Sequence, residues 1–311
     1  MLRRHWALDP AASFLNHGSF GACPTAVLAE QSRLRAQMES DPVRFLARDL
    51  WRRLDEASAA LGAFIGADGA DLAFVTNATA GVNAVLRSLA FKPGDEILIT
   101  DHAYEACAEA ARYVAGRSGA RVVVAQVPFP ITSTAIVRDA VLAAASPRVR
   151  LAMLDHVTSS TALVWPIKEL IERLSERGID TLVDGAHAPG MLALDIDSLA
   201  PAYYAGNCHK WICAPKGAGF LYVREDLQGT VLPTTRYGHR QVSNFNRAAL
   251  TWEPLPGAAR YDTGGIPVLL AAAAVENARA SARAAEAMVD NARAAVARSS
   301  SSRREKWTGP A

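Results

Sequence analysis

Short apolar runs alternate with amphipathic stretches through the middle of this chain, and that alternation restricts the fold more than any other feature. Runs of strand type occupy residues 72–75, 96–99, 121–124, 151–154, 181–183 and 219–223, and helical patterns occupy 80–89, 105–115, 137–144 and 167–177 between most of them. Strand and helix repeated in this order predict an α/β fold with a mostly parallel sheet between layers of helices, because parallel neighbours need long crossover connections. The near-continuous apolar character of the runs fits strands buried on both faces. Sheets of this kind take their ligands at the carboxyl ends of the strands. Thr76, His102 and Asp184 fall at such ends.

The flanks read differently. Residues 1–70 form an N-terminal arm and long helices, including one over 42–63 whose apolar face carries Phe45, Leu46, Leu50, Leu54, Leu61 and Phe64. Residues 71–270 form the ligand-binding α/β domain. From 271 to 311 the chain becomes rich in Ala, Arg and Ser, with a serine run at 299–302, and has too few large apolar side chains for a core. An atypical helix and a disordered tail are expected there. A net charge of +2 is too small to make nucleic acid or a membrane surface the main partner. No apolar run reaches spanning length. Arg3 and Arg4 are not followed by the apolar stretch of a secretory signal. Cys23, Cys107, Cys208 and Cys213 are scattered without zinc-ligand spacing, so free thiols in a reducing cytoplasm are expected.

The chemistry centres on one lysine. The chain has five: Lys92, Lys168, Lys210, Lys216 and Lys306. Lys92 sits in a turn, Lys168 on a polar helix face and Lys306 in the polar tail. Lys216, between a proline and a glycine-rich stretch, is the rival to Lys210. Most lysines are solvated surface charges, but Lys210 lies between His209 and Trp211, in the company of a shaped pocket. It follows Asp184 by 26 residues. A strand ending in an acid, then a second strand-like stretch ending in a lysine, suits pyridoxal phosphate. The lysine holds the aldehyde as an imine and the acid pairs with the pyridinium nitrogen. Asn77, Ala78 and Thr79 close a strand and open a helix, whose free amides and partial positive charge suit a phosphate; an ordinary Asn/Thr helix cap is an equally common reading. The Asp101–Tyr104 segment follows the next strand, where an aromatic ring can stack on a flat cofactor; a surface loop with a buried tyrosine is as common. His187 is placed to reach the cofactor's phenolic oxygen, and Asn207 and His209 to bind phosphate. The glycine-rich stretch 215–220 precedes a strand instead of opening a helix, which rules out a nucleotide fingerprint. His239, Arg240 and Arg247 are read as solvated loop residues first and substrate contacts second.

With these residues in hand, the chain resembles the class V aminotransferase family of fold-type I pyridoxal phosphate enzymes, nearest its isopenicillin N epimerase-like branch. The resemblance is carried by residues 14–21, by Thr76–Thr79, by 184–190 and by Asn207–Trp211, and runs from about residue 10 to about 275. It implies the fold-type I large domain, a homodimer with the cofactor near the subunit boundary, and an amino acid substrate. It further implies Lys210 as the imine lysine, Asp184 on the ring nitrogen, His102 or Tyr104 on the ring's other face and as second acid, and Thr79 and His209 on the phosphate. Two departures stand out. Gly264-Gly265 replaces the family's Gly-Thr, and the Ala/Arg/Ser-rich end is unlike the family's small C-terminal domain, so that domain is expected to be missing or altered. Epimerisation, C–S lysis or desulfuration, and transamination share the chemistry up to the α-carbanion, so these motifs do not choose among them. No cysteine follows Cys213, which disfavours a desulfurase. A cofactor-binding remnant without turnover is the non-enzymatic alternative.

Overall fold

A computed structural model describes residues 2–231 together with the strands Val242–Asn246 and Thr251–Pro254. His239, Arg240, Arg247, the 261–265 turn and the 271–311 segment lie outside the described residues. In chain order the elements are α1 (Thr25–Ser40), α2 (Pro42–Arg44), a π-helical turn (Phe45–Asp49), α3 (Leu50–Ile65), β1 (Leu72–Val75), α4 (Ala78–Ser88), β2 (Glu96–Thr100), α5 (Glu105–Ser118), β3 (Arg121–Ala125), α6 (Thr134–Ala144), β4 (Val149–Asp155), α7 (Ile167–Ser175), β5 (Asp180–Gly185), α8 (Ile196–Leu199), β6 (Tyr203–Asn207), β7 (Gly219–Val223), and the antiparallel pair β8 (Val242–Asn246) and β9 (Thr251–Pro254).

The first seven strands form one sheet in the order β1-β7-β6-β5-β4-β2-β3. Strands β3, β2, β4, β5 and β6 are mutually parallel, and β7 alone runs against its neighbours β6 and β1. Alternate side chains feed two apolar layers, as the two-residue period of a strand requires. Ile97, Ile99, Leu151, Met153 and Leu182 meet α4 and α5 through Val82, Val85, Cys107 and Ala111. Leu98, Ala152, Leu154 and Val183 face α3, α6 and α7 through Leu54, Leu61, Val137, Val141, Leu170 and Leu174. The result is the predicted helix–sheet–helix sandwich. The edge strand β3 departs from the expectation of burial on both faces, since it has one neighbour, leaving Val124 37% exposed.

The single helix expected over 42–63 is interrupted. At Phe45–Asp49 the hydrogen bond from the Leu50 amide returns five residues to Phe45 O, a π turn. That extra residue rotates the following helix, so Phe45 and Leu50 both point inward while Leu46 turns out to 39% exposure.

At the amino end of the sheet, Glu96 starts β2 almost fully buried and ties three segments together. Arg121 of β3, Arg148 before β4 and the Ser146 hydroxyl all donate to its carboxylate, Arg148 Nε at 2.8 Å and Ser146 Oγ at 2.5 Å. Burial alone would raise its pKa, but these donors win and hold it at about 2. A carboxyl depressed below its unfolded value contributes stability that is complete above about pH 4–5 and is lost as pH falls toward 2. Thermal melts between pH 5 and pH 2 are therefore expected to show a declining midpoint, with a shallower decline in Glu96→Gln.

Candidate functional site

The parallel strands end together at one edge, and the chemistry-bearing residues collect there. Asp155 ends β4, Asp184 lies one residue from the end of β5, and Asn207 ends β6; in the sheet Asp155 pairs in register with Asp184, and Asp184 with Ala205. Two joined cavities open at this edge. The inner one, of about 220 Å³, is lined by Asn77, Thr79, Tyr104, Asp155, Asp184, His187, Asn207, His209 and Lys210. The outer one, of about 440 Å³, shares Ser19, Phe20, Tyr104, Ser159, His187 and Lys210 with it and adds Asn16, Thr158, Met191 and Trp211.

Lys210 sits in the loop just past β6. Its Nζ lies 3.0 Å from His187 Nε2. Burial lowers its pKa, against the opposing pull of Asp184 and Cys107. Lys216 lines neither cavity. Asp184 is 4% exposed and has no arginine among its hydrogen-bond partners: Oδ1 accepts from the Ala186 amide at 3.0 Å and Oδ2 from the Cys107 thiol at 3.2 Å. Burial pushes its pKa up, while the Ala186 amide, Cys107 and Lys210 pull it back. A buried acid facing a cavity without a dedicated cation suits a ligand that brings a positive nitrogen.

The start of α4 is capped twice. Asn207 Oδ1 accepts from the Ala78 amide at 2.8 Å and Asn77 Oδ1 from the Ala80 amide at 2.8 Å. Both carboxamide oxygens are thus engaged in capping, each side chain keeps its NH2 donors at the cavity wall, and the Thr79 amide between them is bonded to neither carboxamide. With the Thr79 hydroxyl and the end of the helix dipole, that amide can receive an anion. His209 stands opposite with Nδ1 hydrogen-bonded to Ala218 O at 2.8 Å, which places the proton on Nδ1 and a lone pair on Nε2. An anion held by His209 must therefore bring Nε2 a proton.

His102 is not brought to the cavity. Its Nε2 meets Val127 O at 2.9 Å, its Nδ1 meets Thr161 Oγ1 at 3.4 Å, and its ring lies against Trp165. Of the pair His102 and Tyr104, only Tyr104 lines the site. A strand-end position alone could not separate them, because the turn after β2 points one side chain at the sheet edge and the other under the β3–α6 loop.

Two contributors were missed by sequence reasoning. Asp155 closes an apolar strand just as Asp184 nearly closes the next, so the same strand-end-acid signal would have found it. It is 4% exposed, and burial, then the Asp184 charge, push its pKa well up. Cys107, one helical turn into α5, carries no local signal. The N-terminal residues Asn16, Ser19 and Phe20, within the 14–21 run that carries the family resemblance, reach the site from far away in sequence by a path no local pattern shows.

That path depends on one glycine. Gly21 has φ +64°, and a β-carbon there would lie 2.0 Å from His209 O and 2.7 Å from Lys210 O. The N-terminal segment thus lies directly on the lysine loop. Gly21→Ala combines a left-handed conformation with a backbone clash, and is expected to cost about 1–3 kcal/mol and to weaken ligand binding at Lys210. Denaturant melts and a binding titration on the same variant check both.

Among the described residues no group of three His, Cys, Asp or Glu side chains could hold a metal ion, and no helix is long and apolar enough to cross a membrane.

Residues 22–299 match the model of the family described as aminotransferase class-V, beyond the residue-275 limit set by the sequence resemblance. An isopenicillin N epimerase of Streptomyces clavuligerus is 39% identical over 232 residues, covering 75% of this chain and 58% of the relative. One from Amycolatopsis lactamdurans is 42% identical over 243 residues, covering 76% and 61%. A putative L-cysteine desulfhydrase of Oryza sativa subsp. japonica is 35% identical over 234 residues, covering 70% and 49%. The chain thus spans about three fifths of the length of the epimerases it matches. A solved structure of the cystine C–S lyase C-DES, in complex with its product cysteine persulfide, superposes with a TM-score of 0.79 at 24% identity, covering 88% of this chain and 73% of that one. That likeness bears on the fold alone.

Proposed function

The chain belongs to the aminotransferase class-V family, and from that premise we propose that it is a pyridoxal phosphate enzyme acting at the α-carbon of an amino acid, with isopenicillin N epimerase-like chemistry. One observation carries the reading: a partly buried lysine amine shares a cavity with a buried, cation-free carboxylate at the carboxyl edge of the sheet. The donor set fits the cofactor. Asp184 would meet the ring nitrogen, the Thr79 amide and hydroxyl with His209 the phosphate, His187 the phenolic oxygen, and Tyr104 the ring face. Asn77, Ala78 and Asn207 shape the phosphate end by fixing the start of α4.

When bound, pyridoxal phosphate supplies an aldehyde for an amine and a ring that accepts electrons from the α-carbon. The chain's own residues do the rest. Lys210 would hold the aldehyde and, as a free amine, would take a substrate's α-proton at Nζ. Asp184 would keep a proton on the ring nitrogen it faces. Tyr104, on the cavity shared with the outer pocket, is the acid available to return a proton from another side. The outer cavity, walled by Asn16, Phe20, Thr158, Ser159 and Met191, receives the substrate's side chain. A C–S lyase is the second reading, supported by the cysteine desulfhydrase relative at 35% identity. A homodimer and a cytoplasmic location complete the proposal; the four free cysteines favour the latter.

Titration of the purified full chain with pyridoxal phosphate, followed by a panel of amino acids in heavy water, tests the reading. The expected result is a yellow protein that exchanges the α-hydrogen of at least one amino acid and inverts its configuration. Release of sulfide or pyruvate from cysteine without inversion supports the lyase instead. Colour with no exchange from any amino acid identifies a remnant and overturns both.

A further inference from the structure

We propose that Trp211 is a positioning residue: its indole N–H sets the His187 tautomer that donates to Lys210 Nζ, and so holds this lysine as an uncharged amine. The argument is one of donors and acceptors. An indole nitrogen only donates, and Trp211 Nε1 points at His187 Nδ1 across 3.4 Å. A neutral imidazole carries one ring proton, so an accepting Nδ1 places that proton on Nε2. Nε2 lies 3.0 Å from Lys210 Nζ. An Nε2–H bonds there only to a nitrogen with a free lone pair, which an ammonium lacks. The opposite arrangement, a charged lysine donating to Nε2, would move the imidazole proton to Nδ1 and leave it facing the indole N–H, donor against donor.

The surroundings act in the same direction. Burial is the main cause that holds His187 at about 4, so the ring is neutral at ordinary pH. The titratable groups facing Lys210 are Asp184 from β5, Cys107 from α5, Asp155 from β4, His209 beside it, and Tyr104 before α5. Burial and the Asp184 charge favour the neutral form of Asp155, and burial first keeps the Cys107 thiol protonated. Among the described residues facing Lys210, Asp184 is then the anion that favours the ammonium. The indole itself is seated by the N-terminal segment: a β-carbon on Gly18 would lie 3.2 Å from its ring, and the His17 ring centroid is 6.0 Å away. Gly190, at φ +87°, leaves no room for a β-carbon against the Trp211 backbone. An amine must lose its extra proton before it attacks a carbonyl, so this relay gives the lysine its reactive state before any ligand arrives.

The significance rests on the reading of Lys210 as the carbonyl-binding amine, but the test does not. The full-length chain, freed of bound cofactor, is trace-labelled with acetic anhydride across a pH series, and acetylation of the Lys210 peptide is quantified by mass spectrometry. Nitrogen-15 NMR of labelled histidine reads the His187 tautomer. The expected outcome is an Nε2–H imidazole in the parent chain, and in Trp211→Phe a rise of about one pH unit in the Lys210 labelling midpoint, tenfold in free amine at neutral pH. A folded Trp211→Phe with an unchanged midpoint overturns the proposal, as does an Nδ1–H tautomer in the parent. Should the variant not fold, the parent tautomer alone decides. Confirmation of the relay in a chain whose Lys210 takes up no pyridoxal phosphate would sink the functional reading and leave the relay standing.

Discussion

Lys210→Ala is expected to abolish covalent capture of pyridoxal phosphate. Borohydride reduction of the loaded parent chain, followed by digestion, should place the pyridoxyl group on the peptide that contains Lys210, and the alanine variant should carry none. Turnover should fall by at least the factor of about 10²–10⁴ that a positioned acid–base group supplies, because the same nitrogen is asked to bind the cofactor and to move the α-proton. Lys216→Ala is the control. That side chain lines neither cavity, so its loss should leave the label in place. Label retained in Lys210→Ala and lost in Lys216→Ala would mean that the site has been assigned to the wrong lysine. Stability should change little in either variant, since a partly buried amine whose charge is disfavoured by its surroundings adds little to folding.

Asp184→Asn separates chemistry from architecture more sharply. The amide keeps the shape of the carboxylate and can still accept from the Ala186 amide at one oxygen. It cannot hold a positive ring nitrogen by charge. Activity should drop on the order of 10²–10⁴-fold, with weaker cofactor binding. The melting temperature should hold or rise, because the native carboxylate is fully enclosed beside a second buried acid, Asp155, and its ionised form bears the cost of desolvation. The sign of the pH dependence follows. A folded-state pKa above the unfolded value means that ionised Asp184 opposes folding as pH rises through the carboxylate range, and the asparagine variant lacks that component. A variant that loses stability and activity in proportion would make Asp184 a structural residue.

Much of this was legible along the chain. All six strands expected from apolar runs exist, and the four helices between them differ from expectation by a few residues at their ends. Periodicity succeeds there because each element buries its own apolar face and little else decides its identity. The strand-end rule also led to Asp184, though equally to His102, which lines neither cavity, and the helix-start reading led to Thr79. It failed to find Asp155 only because the rule was applied to one acid instead of two. The helix over 42–63 failed for a different reason: a π turn changes the phase of a helical face without altering its composition, so Leu46 reads as core in sequence and is not.

Other features depend on chains meeting far from each other in sequence. Neither the choice of Tyr104 over His102 nor the reach of Asn16 and Phe20 to the lysine has a local signature. The contact of Trp211 with His187 spans 24 residues and a β-strand. By itself the sequence determined the layers, the strand edge and the residue types that can hold an aldehyde and a pyridine, since these follow from local burial and from side-chain chemistry. Tertiary structure alone decided which of those groups face one another, which oxygens are engaged in capping a helix, and which nitrogen of His187 faces the indole and which the lysine. Hydrogen-bond direction and burial belong to pairs of residues, and no single stretch of chain contains both members.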